Sequence, residues 1–257
     1  MNVLIFAAGL GTRLRPLTDT MPKALVPIQG RPLLRILLEK LRRSLPQSEP
    51  TTIVVNVHHF AEQIIDYLHA NDNFGLDIRI SDERDMLLDT GGGMRKAFRL
   101  FDNTEPVLVH NVDILSNIDI AGFYHRSTKA LKAEDAGAGA VLEVSTRKSS
   151  RYLLADDDNR LRGWVNMKTG EVKSPHPSLD VSKLSKYAFS GIHVVSPGLL
   201  RPLMDTWEDK FPIIDFYLSV CDNIDIICER DDSLLLQDVG KPDTLNYLSD
   251  QNLSLLT

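Results

Sequence analysis

The chain has 257 residues, 43% of them hydrophobic and 25% charged, proportions ordinary for a soluble globular protein with a sizeable core. That length allows one large α/β domain or two small ones. The net charge of −6 and the scatter of the basic residues argue against a nucleic-acid binder, because backbone phosphates demand clustered lysine and arginine.

Met1 to Ala8 is short, apolar and unbroken by charge, which predicts a buried first strand. It is too short to span a membrane and lacks the basic stretch and cleavage site of a signal peptide, so the protein is expected in the cytoplasm. Pro32 to Arg43 carries Leu33, Ile36, Leu37, Leu38 and Leu41 at helical spacing with basic residues between them, a surface helix. Thr51 to Val57 is a β-branched run, Phe60 to Leu68 is amphipathic, and Leu76 to Ile80 reads as a strand. A helix over Met94 to Leu100, opening after Gly91-Gly92-Gly93, and a strand over Pro106 to Val109 continue the alternation of a doubly wound unit.

Past residue 135 the style changes. Ala138 to Glu143 reads as a strand, and Tyr152 to Ala155 and Leu161 to Val165 flank Asp156-Asp157-Asp158-Asn159. That acidic tetrad reads as a hairpin turn rather than a calcium loop, since the loop glycine and distal glutamate are missing. Lys168 to Lys186 is polar, holds Pro175 and Pro177, and is expected as a loop over the active face. A strand over Ala188 to Val195, helices over Phe211 to Val220 and Pro242 to Leu248, and strands over Ile224 to Cys228 and Leu234 to Gln237 follow. Cys221 and Cys228, the two cysteines, match no metal or redox spacing and read as buried thiols of a reducing compartment.

The first strand runs into Ala7-Ala8-Gly9-Leu10-Gly11-Thr12-Arg13-Leu14-Arg15-Pro16-Leu17-Thr18, with Pro22-Lys23 a few residues on. A glycine-rich turn at the carboxyl end of a parallel strand aims several backbone N–H groups at one spot, which suits a phosphate. Arg13 and Lys23 add the charge to hold more than one. No stretch has the Walker spacing. The dinucleotide fingerprint also fails, because Leu14 stands where the third glycine belongs. Taken alone, the turn stays open to a plainer reading as a tight strand-to-helix connection with two solvated basic residues.

Extended through Pro22-Lys23-Ala24-Leu25-Val26-Pro27, this segment resembles the signature of the sugar-1-phosphate nucleotidyltransferases. Asp89-Thr90-Gly91-Gly92-Gly93 is most similar to the compact N-acetylmuramate-1-phosphate uridylyltransferases and their mannose-1-phosphate guanylyltransferase-like relatives. The resemblance implies an α/β fold of the nucleotide-diphospho-sugar transferase type: Rossmann-like and doubly wound, with a mostly parallel mixed sheet flanked by helices. It implies a single domain over 1–257, with 1–135 as the nucleotide-binding half and 136–257 as the sugar-binding half. Relatives often append a C-terminal β-helix; this chain has no hexapeptide repeat and is expected to be a catalytic domain with little attached.

By the same resemblance the backbone of Ala8, Gly9, Leu10, Gly11 and Thr12 wraps the triphosphate. Arg13 faces the β and γ phosphates and Lys23 the α-phosphate, both in catalytic roles. Arg15 has two readings, a phosphate contact or an ion pair that holds the loop. Glu83 is expected to face the base, with Thr90, Gly91 and Gly92 against base and sugar. Asn111, Ser190, Gly191 and Lys210 fall to the sugar. Asp113 and Asp238 are the expected carboxylates for Mg2+, which takes one or two such groups plus phosphate oxygens. Val112 departs from the family pattern, which has glycine there. His58, His59, His110 and His125 are assigned structural roles, because an acceptor phosphate is already anionic and needs no general base.

The expected function is transfer of a nucleotidyl group from a nucleoside triphosphate to a sugar 1-phosphate, with pyrophosphate released. Monomer or small homo-oligomer, and no nucleic-acid or membrane partner, complete the expectation. Two other readings keep the fold: a CTP-dependent cytidylyltransferase for phosphocholine or a similar phospho-alcohol, and a non-catalytic nucleotide-sensing subunit. The sensor reading is disfavoured because the lysine and both carboxylates are present. The base and the sugar are left open.

Overall fold

The structure is a computed structural model that describes residues 1–44, 50–133, 137–249 and 256; the boundary expected at residue 135 lies outside them. The chain opens with β1 (Asn2–Phe6), the short strands β2 (Pro27–Ile28) and β3 (Arg31–Pro32), α1 (Leu33–Ser44) and β4 (Thr52–Val57). There follow α2 (Ala61–Ala70), β5 (Asp77–Asp82), α3 (Asp89–Ala97), β6 (Val107–Asn111), β7 (Ile114–Ser116) and α4 (Ile120–Leu131). The strands β8 (Ala140–Ser145), β9 (Arg151–Ala155), β10 (Leu161–Asn166), β11 (Val172–Lys173) and β12 (Ser185–Val195) come next. Helices α5 (Pro197–Met204) and α6 (Ile213–Val220), strands β13 (Ile226–Arg230) and β14 (Leu236–Asp238), and α7 (Pro242–Ser249) end the series.

Strand β1 lies at the centre of a ten-stranded mixed sheet, parallel to β4 on one side and β6 on the other. Both of its faces are covered, which is why it reads as a continuous apolar run. Val3 and Ile5 enter a core with α1, α2 and α4, whereas Leu4 points to the opposite core with α3, α5 and α6. The chain steps outward from β1 through β4 to β5 and then returns to place β6 on the other side of β1. This reversal puts a crevice beyond the carboxyl ends of β1 and β6. The antiparallel β12 pairs with β6 and then forks, Ser185–Tyr187 to β9 and Ala188–Val195 to β8. The doubly wound sheet flanked by helices is thus as expected.

Three local expectations change. Helix α3 begins at Asp89 and takes the glycine run into its body rather than opening after it. A Cβ on Gly91 would lie 2.2 Å from the Phe211 ring, and one on Gly92 would lie 2.1 Å from the Asp209 carbonyl oxygen. The helix is therefore pressed onto the segment before α6, and the Gly91 N–H donates to the Phe211 carbonyl at 2.8 Å. The Lys168 to Lys186 segment does not cover the cleft. It contains β11 and leans on α6, with Lys173 2.9 Å from Asp215 and His176 2.8 Å from Asp222 just beyond that helix. Helices α4 and α5 are absent from the predicted elements. Helix α4 starts from an Asp119 cap that accepts the Gly122 N–H at 3.0 Å, and a buried Ser127 interrupts its apolar stripe.

The acidic tetrad is a turn between β9 and β10. Asn159 is left-handed at φ 56°, and the Asp156 carboxylate accepts the Asp158 and Arg160 N–H groups at 3.1 and 2.9 Å. Cys221 and Cys228 are buried and unbridged, and burial pushes their thiols up to about 11 and about 12. Among the described residues, no helix is long and apolar enough to cross a membrane.

Candidate active site

A cleft of about 300 Å³ opens at the topological reversal. Phe6 to Gly9 from the end of β1, Lys23, Asn56 from β4, and Asn111 to Asp113 from the end of β6 line it, with Glu83, Leu87, Asp89 and Thr90 on the remaining wall. Its floor is built before any ligand arrives. The Asn56 Oδ1 accepts the N–H groups of Ala7 and Ala8 at 2.7 and 3.2 Å. The Asn56 Nδ2 donates to Glu83 Oε1 at 2.8 Å, and Glu83 Oε2 accepts the Leu88 N–H at 3.1 Å. Glu83 is 1% exposed, and burial pushes its carboxyl above the ordinary value. Both of its oxygens are engaged within the protein, so Glu83 lines the cleft and also braces its wall. Asn56 escaped the sequence reading. Its only signal was an amide near the carboxyl end of a β-branched parallel strand.

The two glycines of the first turn do different things. Gly11 is left-handed at φ 65°, and a Cβ there would meet Thr18 Cγ2 at 2.8 Å. Its carbonyl accepts the Thr18 hydroxyl and the Leu14 N–H, both at 2.8 Å, which closes the turn. Around Gly9 a Cβ would meet nothing within 4 Å. Gly9, Leu10, Thr12 and Arg13 are exposed; of these only Gly9 lines the cleft. Arg15 pairs with Asp19 at 3.2 Å, the loop-holding alternative of its two readings. Val112 packs into the core below the cleft, and its N–H donates to the Phe6 carbonyl at 3.1 Å.

Lys23 is 9% exposed, and its ammonium forms an ion pair with Asp113. Asp238 comes from the far end of the chain. Strand β14 pairs with β7 so that Asp238 registers with Ile114, and the Val239 N–H donates to the Asp113 carbonyl at 2.8 Å. The backbones that carry the two carboxylates are thereby brought together, Asp113 lining the cleft and Asp238 exposed outside its lining. Arg13 joins them: a Cβ on Gly240 would lie 2.5 Å from the Arg13 Nη2 and 2.6 Å from the Asp238 Oδ1.

The remaining expected residues divide. Thr90 lines the cleft while its hydroxyl accepts the Ile213 N–H at 2.9 Å. Gly91 and Gly92 are buried behind it, where their lack of side chains serves Phe211 and Asp209. Gly191 is left-handed at φ 80° and brings β12 so close to Asn111 that a Cβ would lie 2.6 Å from the Asn111 Nδ2. Ser190 is buried and braces the β12 irregularity, donating to the Glu143 carbonyl at 2.8 Å and accepting the Ile192 N–H at 3.1 Å. Lys210 is exposed and does not line the cleft, because the backbone beside it is turned toward α3. His110 is fully buried, which pulls its imidazole down to about 4 and leaves it neutral.

A glycine turn, a sheltered lysine, a nearby arginine and two acidic residues thus meet at the doubly wound reversal, where open α/β sheets bind their ligands. The family profile described as Nucleotidyl transferase matches residues 2–246. The chain belongs to the nucleotidyl transferase family and is a nucleotidyltransferase. It is 45% identical to an N-acetylmuramate alpha-1-phosphate uridylyltransferase of Caulobacter vibrioides over 76% of this chain and 75% of that one. Identity to the enzyme of that name from Neisseria meningitidis serogroup B is 38%, over 79% of this chain and 84% of the relative. In fold it is similar to HddC from Yersinia pseudotuberculosis, with a TM-score of 0.72 at 22% identity over 97% and 98% of the two chains. A putative glucose-1-phosphate thymidylyltransferase from Bacillus anthracis gives a TM-score of 0.74 at 16% identity over 98% and 96%.

Proposed function

We propose that the protein transfers a uridylyl group from UTP to N-acetylmuramate 1-phosphate, giving the nucleoside diphosphate sugar and pyrophosphate in the cytoplasm. The observation that carries this reading is the Val239 N–H to Asp113 carbonyl bond, which sets Asp238 beside Asp113 while Lys23 pairs with Asp113. The 45% identity to a uridylyltransferase of that specificity supports the choice of base and sugar. Residues 1–135 would hold the nucleotide and 136–257 the acceptor.

In the reaction an acceptor phosphate oxygen attacks the α-phosphorus. The new O–P bond forms as the bond to the β-phosphate oxygen breaks, and no proton needs to move. The Gly9 turn, Lys23 and Arg13 are the groups that neutralise the triphosphate, so catalysis rests on positioning and electrostatics. Neutral, buried His110 serves no base role.

The donor set fits Mg2+: two hard carboxylates on neighbouring stretches of backbone, one of them exposed, with phosphate oxygens to complete the shell. Among the described residues no group of three or more acidic, histidine or cysteine side chains could hold a metal by itself. Asp113 and Asp238 would hold it, and it would offset the charge of the departing pyrophosphate.

The test is pyrophosphate release with each of the four nucleoside triphosphates against muramyl, glucosaminyl, mannosyl and glucosyl 1-phosphates, with and without Mg2+. UTP with N-acetylmuramate 1-phosphate should turn over fastest, and chelation should abolish turnover. Release with no sugar 1-phosphate would overturn the reading.

A further inference from the structure

Strands β6 and β8 both run antiparallel to β12, so β8 ends at the same edge of the sheet as the cleft. Two residues past that end stands Arg147. The preceding Thr146 is tied down, its N–H and hydroxyl donating to Asp232 Oδ1 at 3.1 and 2.9 Å. Arg147 Nη2 donates to the Phe189 carbonyl at 2.7 Å, beside the Ser190–Gly191 irregularity that brings β12 against Asn111. Its Nε is buried and has no hydrogen-bond partner.

Other sheltered arginines are spent on carboxylates. Arg95 pairs with Asp209 at 2.8 Å and Arg162 with Asp156 at 2.7 Å. Among the described residues Arg147 makes no such pair. Burial pulls its guanidinium below the ordinary value, while the charges of Asp238 and, more weakly, Tyr152 oppose that effect. Arg147 is therefore a cation held against the Phe189 carbonyl, beside the β12 irregularity that meets Asn111 of the cleft wall, with a desolvated donor unused. A guanidinium in that state is a receptor for an oxyanion, since its planar N–H fork bonds such groups in pairs.

We infer that Arg147 binds an oxyanion of the acceptor and helps to select it, a role that rests on the sugar 1-phosphate reading above. The oxyanion has two possible sources. It is the 1-phosphate common to all such acceptors, or a carboxylate carried elsewhere on the sugar, as on the lactyl ether of a muramyl sugar.

The test uses the full chain with UTP and Mg2+, comparing wild type, Arg147→Gln and Arg147→Lys on N-acetylmuramate 1-phosphate and on N-acetylglucosamine 1-phosphate, which lacks the carboxylate. Arg147→Gln should raise the acceptor KM about tenfold or more while the UTP KM and the Mg2+ requirement stay put, and Arg147→Lys should recover part of the loss. A rise confined to the muramyl substrate identifies the carboxylate, and a rise with both identifies the phosphate. An unchanged acceptor KM overturns the inference. So does a parallel rise in UTP KM or Mg2+ requirement, which would make Arg147 a support for Asp238. If Arg147→Gln fails to fold, the Arg147→Lys acceptor KM decides by the same criteria. Wild type inactive on both sugars would instead defeat the sugar reading itself, whereas an active wild type with insensitive variants defeats only the role of Arg147.

Discussion

The two sides of the cleft differ in how their polar groups are engaged. On the β1–β4–β6 side the polar groups of the wall bond to one another: Asn56 binds Ala7, Ala8 and Glu83, Glu83 binds Leu88, and Lys23 pairs with Asp113. On and beyond β12, Glu143 Oε1, Arg147 Nε, both His193 ring nitrogens and the Tyr217 hydroxyl are buried without hydrogen-bond partners among the described residues. A buried group left unpaired costs about 1–3 kcal/mol. The β1–β4–β6 wall is thus preorganised, as electrostatic catalysis requires. Beyond β12 the fold leaves polar capacity unused, and at Arg147 that capacity stands next to the strand irregularity that meets Asn111.

The comparison is most open to attack at Lys23. Lys23→Ala should lower the rate of pyrophosphate release about 10²–10³-fold or more at saturating substrates. Turnover within tenfold of wild type would mean that the ion pair with Asp113 is a structural feature.

The glycines provide the next test, read by chemical denaturation and nucleotide binding. Gly92→Ala drives a Cβ onto the Asp209 carbonyl oxygen and should destabilise the fold by about 1–3 kcal/mol. Gly9→Ala meets nothing within 4 Å, so its stability should stay within about 0.5 kcal/mol of wild type while nucleotide affinity falls. Equal stability losses would erase the distinction between packing glycines and ligand glycines.

The smallest effect concerns Glu143. Burial, with Glu229 and Asp231 adding like charge against Arg126, lifts its carboxyl from 4.5 to about 8. The fold favours the protonated form. This contribution is therefore complete below about pH 4.5, falls as the pH rises toward 8, and is lost above that, with a slope of up to about 1.4 kcal/mol per pH unit. Glu143→Gln should remove that slope and unfold at higher urea than wild type at pH 8. Parallel pH profiles for the two proteins would show Glu143 to be solvated or paired.

Much of the fold was legible because its signals are local. The unbroken apolar run of β1 reports burial on both faces, and Leu33 to Leu41 repeats at the helical period of α1. Serine at position 127 hid α4, since a buried hydroxyl breaks the apolar stripe without breaking the helix. At the site, Lys23 and Asp113 were legible from motif and strand end, and the structure puts them in contact. Asn56 and Arg147 carried no motif. The glycine run announced a close approach, and Phe211 and Asp209 make one.

By itself, then, the amino-acid sequence determined the strand and helix alternation, the phosphate-suited first turn and the kinds of charge at the site. These depend on neighbours along the chain. Only the tertiary structure decided which polar groups are satisfied internally and which are left unpaired. That depends on partners far apart in sequence, such as Asn56 with Glu83, Asp113 with Val239 and Arg147 with Phe189. Hydrogen bonding and desolvation act across space, so no local pattern records whether a buried donor has been used.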